Sequence, residues 1–306
     1  MPLSPVLSPN VYPPPSPTAA GSLITVDAFL QDPLRVYKVI SDLTLQRFVA
    51  DMIYSPGGTA TGGAVIFDQV IANRLFMTRD VQSITPGSEF PILTDEQDVP
   101  LVARTVKWGG AAVITYEERD RDRRDILRRE LTKLRNTIVR KVDAVAVATI
   151  RAAPIQSVVA SAPWSGGSAS AGKIFDDIMT GLTVIDKLDM GYRLDTALIS
   201  PTTELRLVTN GNLRDQIWKS RGVVTSPLAS GRLEGLLGLT YYVSNRISDG
   251  EVILLPSQQA GSISDEKPLY TRVVDQPERE RILIMGARLT VPYVTDPLSV
   301  VRITGI

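Results

Sequence analysis

The chain has 306 residues, with 33 Lys and Arg against 33 Asp and Glu, so its net charge is zero at neutral pH. That balance gives no global case for a nucleic-acid or membrane partner. Cysteine and histidine are both absent, which excludes disulfides, a thiolate nucleophile, Cys-based metal sites, a Ser-His-Asp triad and the commonest general base.

Hydrophobic content of 43% and charged content of 22% fit a folded globular protein with room for a large core or two subdomains. No apolar run approaches the ~18 residues of a membrane-spanning helix, and the N-terminus lacks the basic start and apolar core of a signal peptide. The expected place of action is the cytoplasm, or something assembled there.

Residues 1–22 carry Pro2, Pro5, Pro9, Pro13, Pro14, Pro15 and Pro17 and predict an extended, polyproline-like arm. Short helical patterns follow at Asp27 to Leu34 and Leu43 to Tyr54, with Phe48, Met52 and Ile53 as core candidates. Gly57, Gly58, Gly62 and Gly63 predict a hinge-like loop. Ala64 to Ile71 predicts a strand. A polar excursion then runs to about Lys107, with the turn pair Pro86-Gly87 and the acidic patch Asp95, Glu96 and Asp98. Leu101 to Val106 and Ala111 to Tyr116 predict returning strands. Two strand-like arms around a polar tip make an extended hairpin, which is barely stable alone and needs a surface to lie on.

Thr115 to Ala153 predicts one long helix, free of Gly and Pro. Thr115 and Glu118 have capping-box spacing, and Pro154 stops the run. Leu127, Leu131, Leu134, Ile138, Val142 and Val145 share one face, while Asp125–Arg129 and Glu130–Lys133 have ion-pair spacing. At 1.5 Å per residue this is a beam of roughly 55 Å.

Beyond it, Gln156 to Ala162 predicts a strand, Ser165 to Gly172 a Gly/Ser loop, and Ile174 to Leu188 a helix capped by Gly191. Leu194 to Ile199 predicts a buried strand. Ser200 and Pro201 supply the N-cap and first residue of a short helix to Val208. Residues 209–236 predict a long loop with one helical turn near Leu213 to Lys219. Leu239 to Val243 and Glu251 to Leu255 predict strands, and 256–278 a polar loop. Ile282 to Met285, Arg288 to Val291 and Ser299 to Thr304 predict the closing strands. Helices and strands are segregated rather than alternating, which argues for an α+β fold.

The chemistry on offer is thin. Gly167 to Lys173 matches G-x-x-x-x-G-K, yet Ile174 stands where a phosphate loop needs Ser or Thr for magnesium. Arg119, Arg121, Arg123, Arg124, Arg128 and Arg129 are interleaved with Glu118, Asp120, Asp122, Asp125 and Glu130, which reads as a solvated face rather than a phosphate track. The clusters Asp95/Glu96/Asp98 and Asp265/Glu266 fall in loops that look exposed, with no pocket to raise a pKa. Trp108, Trp164 and Trp218 form no stacking platform. The expectation is a non-enzyme without cofactor or metal.

Taken in order, a Pro-rich arm, a polar hairpin, a long helix, the passage Ala197-Leu198-Ile199-Ser200-Pro201-Thr202-Thr203-Glu204-Leu205, a looped region and terminal strands resemble the HK97-like major capsid proteins of tailed bacteriophages. The resemblance implies an N-terminal arm at 1–55, an extended E-loop hairpin at 56–114 and a peripheral domain with a spine helix at 115–190. An axial domain at 191–278 and return strands of the peripheral domain at 279–306 complete the division. It implies self-assembly into hexamers and pentamers and an icosahedral shell around double-stranded DNA, in a virion assembled in the host cytoplasm. Scaffolding, portal and decoration proteins are the implied partners, with no membrane. Arg79, Glu89, Asp95, Glu96, Asp98, Arg119 and Arg123 are the expected intersubunit contacts.

Three rivals stand beside this reading. An encapsulin-like nanocompartment shares the fold and differs in cargo. A nucleotide-binding enzyme would rest on Lys173. A coiled-coil scaffold would need heptads that the alanines at 144, 146 and 148 do not sustain.

Overall fold

In the computed structural model the described residues are 26–42, 48–70, 77, 81–93, 100–164, 171–210 and 236–306. The Pro-rich residues 1–22 of the predicted N-terminal arm, the phosphate-loop-like residues 167–170 and the predicted turn at Leu213 to Lys219 lie outside them. The chain divides into two compact units, one formed by Met1–Gln46, Gly109–Ile138 and Leu269–Ala287, the other by Arg47–Trp108, Val139–Pro268 and Arg288–Ile306.

The first unit takes in helices α1 (Val26–Leu30), α2 (Pro33–Asp42) and α4 (Tyr116–Asp120) and the first half of α5 (Arg124–Ala152). Thr115 accepts from the Glu118 backbone N–H while the Glu118 carboxylate accepts from the Thr115 N–H, so the predicted capping box forms. The predicted single helix is broken at 121–123. Asp122 adopts φ +46°, a conformation that Asp tolerates, and its carboxylate accepts from the Val26 N–H at 2.8 Å and from Arg124. That carboxylate therefore ties α1 to the start of α5. The helix after the break is roughly 43 Å long at 1.5 Å per residue.

The apolar stripe of α5 is buried at Leu127, Leu131, Leu134, Ile138 and Val142, then drifts to Ala146, Val147 and Ile150. Lys133 pairs with Glu130 at 2.8 Å as its spacing predicts, but Arg129 leans to Glu130 at 3.6 Å rather than to Asp125.

One sheet has the order β1-β9-β10-β4, from β1 (Ser55–Thr59), β9 (Ser262–Gln276), β10 (Arg281–Tyr293) and β4 (Val106–Thr115). Three expectations are corrected here. Residues 262–276 are a strand and not a polar loop, because β10 supplies the partner that its own polar sequence does not advertise. The glycines at 57 and 58 lie in a strand and not in a hinge, since Ser55 pairs with Ser262 and Pro56 with Ile263. A Cβ on Gly57 would meet Ser264 Oγ, and Tyr293 Oη at 2.7 Å, so only glycine permits that approach. The two predicted strands on either side of Gly286 are one, β10. A Cβ at 286 would meet Ile138 Cδ1 at 3.1 Å, so this glycine lets α5 lie close to the sheet.

A five-stranded sheet of the second unit has the order β5-β11-β8-β6-β7, from β5 (Gln156–Val159), β6 (Thr196–Ile199), β7 (Thr240–Val243), β8 (Glu251–Leu255) and β11 (Val301–Thr304). Helix α6 (Ala171–Asp186) covers one face, and Trp164, Ile174, Ile178 and Ile185 share a core with Ala197, Ile199, Val252, Leu254, Val301 and Ile303. Trp164 Nε1 donates to buried Asp177 at 2.9 Å. Leu198, Ile253 and Leu255, of the opposite parity, are also fully buried, which explains why β6 and β8 read as continuous apolar runs. Helix α7 (Pro201–Thr209) begins as predicted, with Ser200 Oγ accepting from the Thr203 N–H.

The short helix α3 (Val49–Ile53) has no cap of its own. Asp143 of α5 caps it instead, accepting from the Ala50 N–H at 3.2 Å. Burial pushes the Asp143 carboxyl up to about 6. The Ala50 and Val49 N–H groups and Arg288 pull against that rise, and Asp51 adds to it. A pKa raised in the fold means that the native state holds more protons between the unfolded value and 6. This group's contribution is therefore fully present below about pH 4 and is lost as pH rises through 6, by about 3 kcal/mol. The stability of wild type minus that of Asp143→Asn, from denaturant melts at each pH, should fall over that window and be flat above it.

Candidate assembly surfaces

The sequence places a hairpin between β1 and α4. Its arms are β2 (Ala64–Phe67) and β3 (Leu101–Arg104), antiparallel, with Ala64 opposite Arg104 and Phe67 opposite Leu101. Among the described residues they form a two-stranded sheet. Alternation gives this ribbon two faces. Phe67 turns to the body and packs on Tyr293, with ring centroids 4.8 Å apart. Ile66 and Val102 sit opposite each other on the other face and are 71% and 60% exposed.

The ribbon's root is pinned by polar contacts. Thr105 Oγ1 donates to Glu266 at 2.8 Å, the Val70 N–H to Thr295 at 2.9 Å, and Gln69 Nε2 to Val294 at 3.1 Å. Further out the predicted Pro86-Gly87 turn closes, with the Ser88 N–H donating to Thr85 at 3.0 Å. Beside it Phe90 and Ile92 are each 83% exposed, and Val81 is exposed too. Isolated apolar side chains on a surface need no explanation, but five exposed ones on the described part of a single hairpin, Ile66, Val81, Phe90, Ile92 and Val102, make it a candidate interaction surface.

The predicted contact residues divide. Arg79, Asp95, Glu96 and Asp98 lie outside the described residues. Glu89 is exposed on the arm next to Phe90. Arg119 is committed within its own chain, pairing with Asp120 at 3.0 Å and lying over the Tyr116 ring at 4.4 Å. Tyr116 in turn donates to Asp275 at 2.6 Å, which, with some burial, raises its phenol above the ordinary range. Arg123 is exposed and forms no ion pair among the described residues. The apolar members of the arm were missed by a search for charge. Phe90-Pro91-Ile92 inside a polar excursion was the signal that could have found them.

The expected exposed pair Asp265/Glu266 is neither exposed nor on a loop. Asp265 pairs with Arg288, and Glu266 receives Thr105. Lys173 is exposed in the first turn of α6. Among the described residues no group of His, Cys, Asp and Glu could hold a metal ion, and no helix is long and apolar enough to cross a membrane.

A sequence model of the family described as phage capsid protein matches residues 98–303. No curated protein matches the chain. Among solved structures, the capsid of Cyanophage P-SCSP1u is similar at TM-score 0.64 and 11% identity, over 84% of this chain and 88% of that one. The mature capsid of bacteriophage PhiM1 is similar at TM-score 0.60 and 13% identity, over 83% and 86%. The virus-like particle from Pyrococcus furiosus is similar at TM-score 0.59 and 11% identity, over 88% and 97%. The mixed helix and strand fold is thus the HK97-like capsid fold. With the family match spanning most of its length, the chain belongs to the phage capsid protein family.

Proposed function

We propose that this capsid protein is the major shell subunit of a tailed-phage head. It assembles into hexamers and pentamers that close around double-stranded DNA, within a virion built in the host cytoplasm. Residues 1–55 serve as the N-terminal arm, 56–114 as the E-loop and 115–190 as the peripheral domain with its spine. Residues 191–278 form the axial domain, and 279–306 the return strands. Scaffolding, portal and decoration proteins are its further partners, and it performs no catalysis.

The observation that carries this reading is the hairpin ribbon with its exposed apolar face. A two-stranded ribbon gains little from its own subunit and becomes worthwhile when a neighbour covers it. Arg79, Glu89, Asp95, Glu96, Asp98 and Arg123 are the proposed polar members of such contacts, and Arg119 would have to leave Asp120 and Tyr116 to join them. A nanocompartment reading is favoured by one observation, the likeness that covers 97% of the Pyrococcus furiosus virus-like particle chain.

Negative-stain electron microscopy with light scattering on the purified protein tests the proposal. Closed particles, or rings of five and six, are expected. A protein cargo in place of nucleic acid would favour the nanocompartment. Particles that never form, with or without a scaffold, would sink both.

A further inference from the structure

Arg135 lies on α5 beside Leu131, Leu134 and Ile138 and is 8% exposed. Its neighbours Arg128, Lys133 and Arg140 reach solvent along the same helix, as long cationic side chains ordinarily do. Arg135 forms no hydrogen bond or ion pair among the described residues, and its Nε is buried without an acceptor. Only a small fraction of this side chain meets solvent. Burial pulls this guanidinium below its ordinary pKa, with no acid to offset the fall.

Five acids of the same unit are already taken. Glu118 closes the capping box, Asp120 holds Arg119, Asp122 holds Arg124 and the Val26 N–H, Glu130 holds Lys133, and Asp275 receives Tyr116. A buried charge of this kind is destabilising unless an anion meets it. Guanidinium stays charged at any working pH, so it cannot escape by losing its proton.

The complementary need exists on the hairpin. Glu89 is exposed, forms no ion pair among the described residues, and stands next to Phe90 and one residue from Pro91-Ile92. When that apolar patch docks, the Glu89 carboxylate is carried out of water with it and needs a cation. We propose that Glu89 of a second copy of the chain docks on Arg135, so that each subunit's recessed arginine is completed by its neighbour's arm. This rests on the shell reading above. A carboxylate on a flexible side chain can reach a group that is 8% exposed, whereas the phosphates of a stiff duplex cannot follow an arginine so far below the surface.

The test compares the full-length wild type with Arg135→Met, Glu89→Gln and the double variant. The readouts are the thermal midpoint of the unassembled subunit and the threshold concentration for shell formation. Arg135→Met should raise the subunit's midpoint by a few degrees, because it removes an unpaired buried charge. It should also raise the assembly threshold roughly thirtyfold. Glu89→Gln should raise the threshold comparably without moving the subunit's midpoint, and the double variant should be no worse than either single one. A threshold unchanged by Arg135→Met overturns the pairing. So do effects that multiply in the double variant, and so does a loss seen only when duplex DNA is present, which would make the partner a phosphate. Wild-type protein that forms no shell sinks the capsid reading and the pairing together, whereas normal shells from both variants sink the pairing alone.

Discussion

Replacing Arg288 with methionine should lower the subunit's unfolding free energy by about 3 kcal/mol. Arg288 is buried on β10 and joins two segments distant in the chain. It holds Asp51 of α3 at 2.8 Å and Asp265 of β9 at 2.9 Å, and its guanidinium lies over the Phe48 ring at 4.8 Å. Burial alone would lower its pKa, but the two carboxylates outweigh that and raise it. Methionine fills much of the volume and leaves two carboxylates facing each other with no cation between them. Removing one member of such a cluster costs more than the cluster contributes. Asp51→Asn in the same chain should therefore recover part of the loss. Urea melts of the four combinations measure this. Equal stability of wild type and Arg288→Met would show that the cluster is solvated rather than structural.

Changing Phe90 and Ile92 together to serine should abolish closed particles while leaving the subunit folded. Both side chains are 83% exposed, so the subunit's own stability should move by less than about 0.5 kcal/mol. In a shell, each arm would lose the burial of two large apolar groups, about 3–5 kcal/mol per contact. That loss is repeated at every copy, so the assembly threshold rises beyond practical concentrations. Electron microscopy and thermal melts on the same preparation are the check. Normal particles from the double variant would remove the arm from the interface, and a collapse of the melt would show that the two residues serve the fold.

The parts of this fold legible in sequence are those whose causes are local. The Thr115/Glu118 box and the Ser200–Pro201 start each need a few consecutive residues, and both formed where expected. The stripe of α5 was readable because its period is set within the helix. What was missed has its cause far away in the chain. The break at Asp122 depends on the Val26 N–H. Strand β9 carries Asp265, Glu266 and Lys267 and reads as a loop until Arg288 and Thr105 are seen to receive its charges. Gly286 looks like a strand breaker because its reason is Ile138 on another element. On the hairpin the charge pattern drew attention to Asp95, Glu96 and Asp98, while the exposed surface is apolar at Phe90 and Ile92. Charge is easy to count in a sequence, whereas exposure depends on what the arm is not folded against.

The position of β11 has a consequence for synthesis. This strand sits between β5 and β8, and Val301 pairs with both Gln156 and Leu254. Two of its neighbours are therefore made first and wait for it. At ordinary translation rates the wait after β5 is on the order of ten seconds. Until residues 301–304 emerge, β5 and β8 each present a bare edge with apolar side chains, the kind of template that recruits other chains. A nascent subunit is thus exposed to wrong pairing until β11 has been made, and a ribosome stalled short of β11 leaves a chain that cannot close its own sheet. Many copies made side by side on one message would meet this hazard together, so holdase chaperones should be found on a chain cut before β11 and absent from one that includes it.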